Sequence, residues 1–534
     1  MTGEQDEEPR RAAYDAFTAA HSLGAEGRHD EAVTAYRRAL DLYRGLPDSE
    51  QQQAGCLHDI GVALRAMGND EEAVVAYRQA ADLYRCLSGN ERDQADCLYH
   101  VADILDTTGR QEEAASDYRR ALDLYRGLPD SEQQASCLRN IGVALYAAGR
   151  YEDAMTAYRE ELDLYRGLPD SEQQQASCLY NIAITLGDMG RHKEAVAAYR
   201  QALDLYRGLP DTEYDQADCL NDIANILRKT EQHEEAVAAC RQALDLYRGL
   251  PGTEQQQANT LFNVGLVLGD TDREEEALAA CRQALDLYRG LPDSEQQQAN
   301  CLYNIGVALG AAERYDEAAA AYRQALDLYR GLPDSEQDQA GCLYNTGNVL
   351  HKTERHEEAL ASYQDALTIF RKADGTQYQQ AICLNNTATT LERMGRHEEA
   401  LTAYHSALKL DRSLPDNEQQ QAECLFDIGN SLYAMERHEE ALASYQDALT
   451  LFRQVGDTPH QAICLINIAN ALYAAGRHEE SLTSLREALG VYRQADGTEQ
   501  DQVDCLSLIG DLLNHMGRHK EAQDAYQQAQ DHHR

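Results

Sequence analysis

Cysteine and histidine stand out first in this chain of 534 residues, because thiolate and imidazole ligate metals, form disulfides and act as nucleophile or base. Of fourteen cysteines, eleven share one register: Cys56, Cys97, Cys137, Cys178, Cys219, Cys301, Cys342, Cys383, Cys424, Cys464 and Cys505, in steps of 41 or 40 residues, with Thr260 filling the missing place. Equivalent atoms of neighbouring stacked units lie about 8–10 Å apart, beyond the ~7 Å Cα limit of a disulfide, so these thiols are expected to stay unpaired and to pack as small buried hydrophobes. Cys240 and Cys281 replace a tyrosine of sister units, as AACRQAL against AAYRQAL, and Cys86 replaces a seam glycine. The histidines of RHEEA, including His356, His397 and His438, with His192 of RHKEA, are expected to pack the turn where sister units carry Tyr151 or Tyr315. Glu357 and Glu358 read as the solvated start of a helix, where negative charge suits the dipole. Neither HExxH nor a glycine-rich phosphate loop is present, and near-identical units do not supply the unlike groups of a catalytic centre.

The elements that must position these residues repeat with them. The string LDLYRGLP begins at Leu40 and returns at Leu122, Leu162, Leu203, Leu244, Leu285 and Leu326. Within one period, 293–333, apolar and small residues recur at helical spacing in two runs, so each unit is a pair of helices. Ala318, Tyr322, Ala325 and Tyr329 form one face of the second helix, with Leu326 beside them. Gly331 is predicted to supply a left-handed C-terminal turn and Pro333 to stop the helix. Asp334 is predicted as the next N-cap, with Gln337 in capping-box position.

Gly347, Ala359 and Ala366 stand 12 and 7 residues apart in CLYNTGNVLHKTERHEEALASYQDAL, among Leu343, Leu350 and Tyr363. This pattern resembles the tetratricopeptide repeat, whose antiparallel helices need small residues where their backbones approach closely. The resemblance implies an all-α, right-handed superhelical solenoid. The first alanine recurs from Ala32 to Ala522, with Ser481 in one slot, which counts thirteen units. They run approximately 12–47, 48–88, 89–129, 130–169, 170–210, 211–251, 252–292, 293–333, 334–374, 375–415, 416–455, 456–496 and 497–534, a single solenoid behind an acidic tail at 1–11. The period of 41 exceeds the usual ~34 and is similar to kinesin-light-chain-type and bacterial members; it also fits HEAT or armadillo repeats, against which the glycine and alanine spacing argues. Glu161 stands where an alanine is expected.

Comparison of the units with one another isolates two rows on the first helix. One row holds His58, Tyr99, Arg139, Tyr180, Asn221, Phe262, Tyr303, Tyr344, Asn385, Phe426, Ile466 and Ser507. The next position holds Asp59, His100, Asn140, Asn181, Asp222, Asn263, Asn304, Asn345, Asn386, Asp427, Asn467 and Leu508. In the superhelices this chain resembles, first helices line the concave groove, and at least one row is expected to face a ligand there. An asparagine ladder can grip a peptide backbone, with Tyr99, Tyr180, Tyr303 and Tyr344 adding contact area; the alternative is that the asparagines bond locally within the frame.

The net charge of −43, from 48 Lys+Arg against 91 Asp+Glu, argues against nucleic acid and anionic membranes and favours a neutral or basic protein partner. Arg139 is the single arginine of the rows, and Arg228, Lys229, Lys352 and Arg393 lie near helix ends. With no apolar run near ~18 residues and no signal-peptide core at the N-terminus, the chain is expected to be cytoplasmic. The expected role is a non-catalytic adaptor without cofactor or metal. Self-assembly into a homo-oligomer, or service as the regulatory subunit of a separately encoded enzyme, are the alternatives.

Overall fold

The computed structural model describes residues 7–271, 273–495 and 497–532. Among them are 26 α-helices and no strand, arranged as tandem antiparallel pairs from Glu7–Ala25 with His29–Arg44 to Glu499–His515 with His519–His532. The chain is an all-α solenoid of about 13 repeats. It divides into two compact units, Met1–Gln256 and Gln257–Arg534. Glu7 opens the first helix, so the described part of the segment 1–11 is helical; residues 1–6, and 533–534 of the last repeat, lie outside the described residues.

Each pair closes through its small residues. In the eighth repeat Ala318 and Ala325 have no exposed surface, and Tyr322, Leu326 and Tyr329 are buried beside them. A Cβ on Gly306 of the partner helix would come within 2.6 Å of the Tyr322 ring, and one on Gly347 within 2.5 Å of Tyr363. The missing side chain lets the tyrosine lie flat against the first helix, which ties the small position to the aromatic one.

The seam differs from its predicted form. Gly331 is not left-handed; its N–H donates to Leu328 O (2.9 Å) and Leu332 N–H to Tyr329 O (3.0 Å), continuing the helix as a tight turn. The chain reverses at Asp334, φ 51°, a conformation aspartate tolerates, and Gly252 takes the same place with φ 75°. The next helix starts at Glu336 after Ser335, which forms no cap and no capping box. Ser335 Oγ instead donates backward to the carbonyls of Tyr329 and Leu332, and Gln339 Nε2 reaches Tyr329 O at 3.3 Å and Ser335 Oγ at 3.1 Å. The serine and glutamine of the repeated string satisfy the orphan carbonyls of the helix before them.

All fourteen cysteines are free, and every one but Cys86 is buried. Several register thiols point at a carbonyl of the preceding second helix, as Cys383 Sγ at Tyr363 O (3.1 Å).

Candidate functional site

The two rows are half-buried from His58 and Asp59 to Ile466 and Asn467, on first helices that carry Cys and Leu on the buried side, or Thr260 and Leu261 in the helix Glu254–Gly269. Neighbouring repeats bring the rows together at their hydroxyl and amide ends. Asn140 Nδ2 donates to Tyr99 Oη (2.8 Å), Asn345 to Tyr303 (2.8 Å) and Asn386 to Tyr344 (2.9 Å), each pair 41 or 42 residues apart. Where aspartate replaces asparagine the donor reverses, and Tyr180 Oη donates to Asp222 Oδ2 at 2.7 Å. Asn304 Nδ2 turns back to Asn300 O of its own helix (2.8 Å), and Asn467 Nδ2 reaches Asn430 Oδ1 (3.2 Å). Asn181 and Asn263 are half-buried in the same row.

A third row, one turn further along the first helix, was missed. Asn348 Oδ1 accepts from Tyr363 Oη of its own repeat (2.8 Å) and from Asn386 Nδ2 of the next (2.9 Å). Asn430 repeats the arrangement, accepting from Tyr445 Oη (2.9 Å) and Asn467 Nδ2 (3.2 Å). The signal was available, since NTGN, DIGN and NIAN place a polar residue three positions after the asparagine row, on the same helical face. Asn348, His351, Lys352, Tyr363, Asn386 and Thr389 line a cleft of about 350 Å³. Burial, then the nearby charges of His356, Arg393 and Lys352, lowers the pKa of His351, whose Nδ1 lies 2.8 Å from Thr390 Oγ1.

The RHEEA residues serve the frame. Arg355 grips Glu358 through Nε and Nη2 (2.7 and 2.6 Å), holding that carboxyl below its ordinary range, and reaches Asp316 of the preceding repeat at 3.6 Å. His356 opens the second helix with its Nδ1 buried and unpartnered. Among the described residues no group of three His, Cys, Asp or Glu side chains is placed to hold a metal ion, and no helix is long and apolar enough to cross a membrane.

The family model described as Tetratricopeptide repeat matches residues 13–86, 93–167, 133–208, 174–249, 215–290, 256–331, 339–413, 420–494 and 461–534. The chain belongs to the tetratricopeptide repeat family. Tetratricopeptide repeats are generally non-catalytic and mediate protein–protein interaction. Among curated proteins none matches. Among solved structures the crystal structure of BtubC (BKLC) from P. vanneervenii is similar, at 19% identity, covering 41% of this tetratricopeptide chain and 91% of that one, with a TM-score of 0.36.

Proposed function

We propose that this protein is a non-catalytic scaffold whose first-helix face binds an extended, neutral or basic segment of a partner protein, from the cytoplasmic side of the cell. The observation that carries the reading is the polar ladder itself. Asn140 and Asn386 commit their amide nitrogens to the frame, while among the described residues neither carbonyl accepts a hydrogen bond, which leaves acceptors for peptide N–H groups. Tyr99, Tyr303 and Tyr344, half-buried beside them, supply rigid contact surface at low entropic cost. The charge of −43 adds attraction for basic segments and repels acidic ones.

The test is fluorescence binding to an array of peptides graded in charge, comparing wild type with Asn304, Asn345 and Asn386 all changed to Ala, after circular dichroism shows equal helicity. Retention of neutral and basic peptides by wild type, weakening with salt and lost in the variant, supports the reading. Equal retention by both proteins removes the ladder from the binding surface.

A further inference from the structure

The twelfth repeat departs from an arrangement that the ninth and eleventh repeats share. In the ninth and eleventh repeats one asparagine carbonyl receives two donors, the tyrosine of its own second helix and the asparagine of the next first helix, as Tyr363 and Asn386 on Asn348 and Tyr445 and Asn467 on Asn430. The corresponding acceptor in the twelfth repeat is Asn470, in the helix Thr458–Ala474. Its two donor positions are occupied by Leu485 and Leu508, both unable to donate. Asn470 is exposed, and its side chain makes no hydrogen bond among the described residues. Leu485 itself is buried at the floor, and Leu508 is 37% exposed at the edge.

The loss of both donors coincides with an opening. Asn470, Leu485, Leu508, Leu512, Asp511 and His515 are among the residues lining a cleft of about 200 Å³. Leu485, Leu508 and Leu512 supply apolar lining beside the polar groups of Ser481, Asp511 and His515, and the exposed amide of Asn470 lines it too. A cavity of about 150 Å³ with aliphatic walls takes up benzene, so this one has room for an aromatic ring. Asp511 Oδ1 accepts from Tyr526 Oη at 2.7 Å and Ser481 Oγ donates to Ala469 O at 2.7 Å, whereas the Asn470 amide has no side-chain partner among the described residues.

We infer that this cleft is a receptor site for a tyrosine side chain of the bound partner, its ring between Leu485, Leu508 and Leu512 and its hydroxyl donating to the Asn470 carbonyl. The occupant is chosen by the fold's own chemistry. Tyr363, Tyr404 and Tyr445 stand in the second helices of the preceding three repeats at the position of Leu485, and two of them donate to the counterpart of Asn470. The partner would supply in trans the phenol that the sister repeats supply in cis. An acceptor contact of this kind adds discrimination of tyrosine from phenylalanine to that of the ring pocket alone.

This inference rests on the first-helix face being a peptide-binding surface, but its test does not need a peptide. N-acetyl-L-tyrosinamide is titrated into the full chain and the methyl resonances of Leu485, Leu508 and Leu512 are followed. Saturable shifts of these methyls, at least fivefold weaker with N-acetyl-L-phenylalaninamide, are expected. Leu485→Tyr, which installs the sister residue, should abolish them, and Asn470→Ala should erase the preference for tyrosine while keeping ring binding. Leu508→Asn gives a second closure should Leu485→Tyr misfold by circular dichroism. Absent shifts in wild type, or shifts that persist in both closing variants, would overturn the proposal. The graded peptide array, read on the Asn304, Asn345 and Asn386 variant, reports separately on the peptide surface, so either idea can fail alone.

Discussion

Arg139 donates from Nε to Oε1 of Glu161 across 2.9 Å, joining two residues that each depart from their sister repeats. Glu161 has no exposed surface, whereas the Arg139 side chain is 40% exposed. Burial pushes the Glu161 carboxyl above its ordinary value, and the arginine pulls it back without fully offsetting that. Arg139→Ala strands the carboxylate and should cost about 3 kcal/mol, the lower end for a broken buried pair because water already reaches the arginine. Glu161→Ala restores the sister residue and should cost less than about 1 kcal/mol. Urea denaturation of the two single variants and of the double variant gives the coupling, and strictly additive losses would show that the pair is not coupled.

The ladder asparagines should not be equivalent. Asn386 bridges Tyr344 and Asn348, so Asn386→Ala removes two contacts and should destabilise by about 1–2 kcal/mol. Asn304 bonds only its own helix backbone, and alanine is the better helix former, so Asn304→Ala should be neutral or slightly stabilising. Hydrogen exchange in the helices Glu295–Ala311 and Gln377–Arg393 reads each site by itself.

Stability should depend on pH through Asp427. Burial first, then the charges of Glu392 in the preceding repeat and of Glu423, push its carboxyl from 3.8 up to about 7, against a weak opposing hydrogen bond with Asn430. Between those values the folded state holds a proton that the unfolded chain releases, so this group makes stability fall as pH rises through the window. Asp427→Asn, the residue of the tenth and twelfth repeats, should raise the denaturation midpoint at pH 8 and flatten its fall from pH 4 to 8. An unchanged pH profile would count against the assignment.

Native thiol labelling should be confined to Cys86. It is exposed, while burial pushes thiols such as Cys97 and Cys342 up to about 12. One equivalent should modify quickly under native conditions and thirteen more only after denaturation, as counted by mass spectrometry.

The turn inside the ninth repeat holds Glu354 at φ 58°, where the tenth uses Gly395 at φ 73°. Left-handed backbone carries a cost of about 1–2 kcal/mol for a residue with a Cβ, so Glu354→Gly should raise the melting temperature slightly. A fall would mean that the glutamate side chain, not the backbone, sets this turn.

Much of this protein was legible in its sequence because a repeat is a local code. The period of 41, the alanine of each second helix and the glycine facing its tyrosine specified the helix pair, since close packing of two neighbouring helices depends on residues within one unit. The register of the cysteines likewise announced their burial. The seam was read less well: its helix stop and proline were clear, but whether Gly331 or Asp334 would turn left-handed depends on where the next helix docks. What only the tertiary structure decided are the contacts between units. Composition shows Tyr303 and Asn345, and the leucines around Asn470, yet their pairing follows from the rotation and rise of one helix pair upon the next. A hydrogen bond fixes its partners to within a few tenths of an ångström, and sequence spacing does not carry that precision.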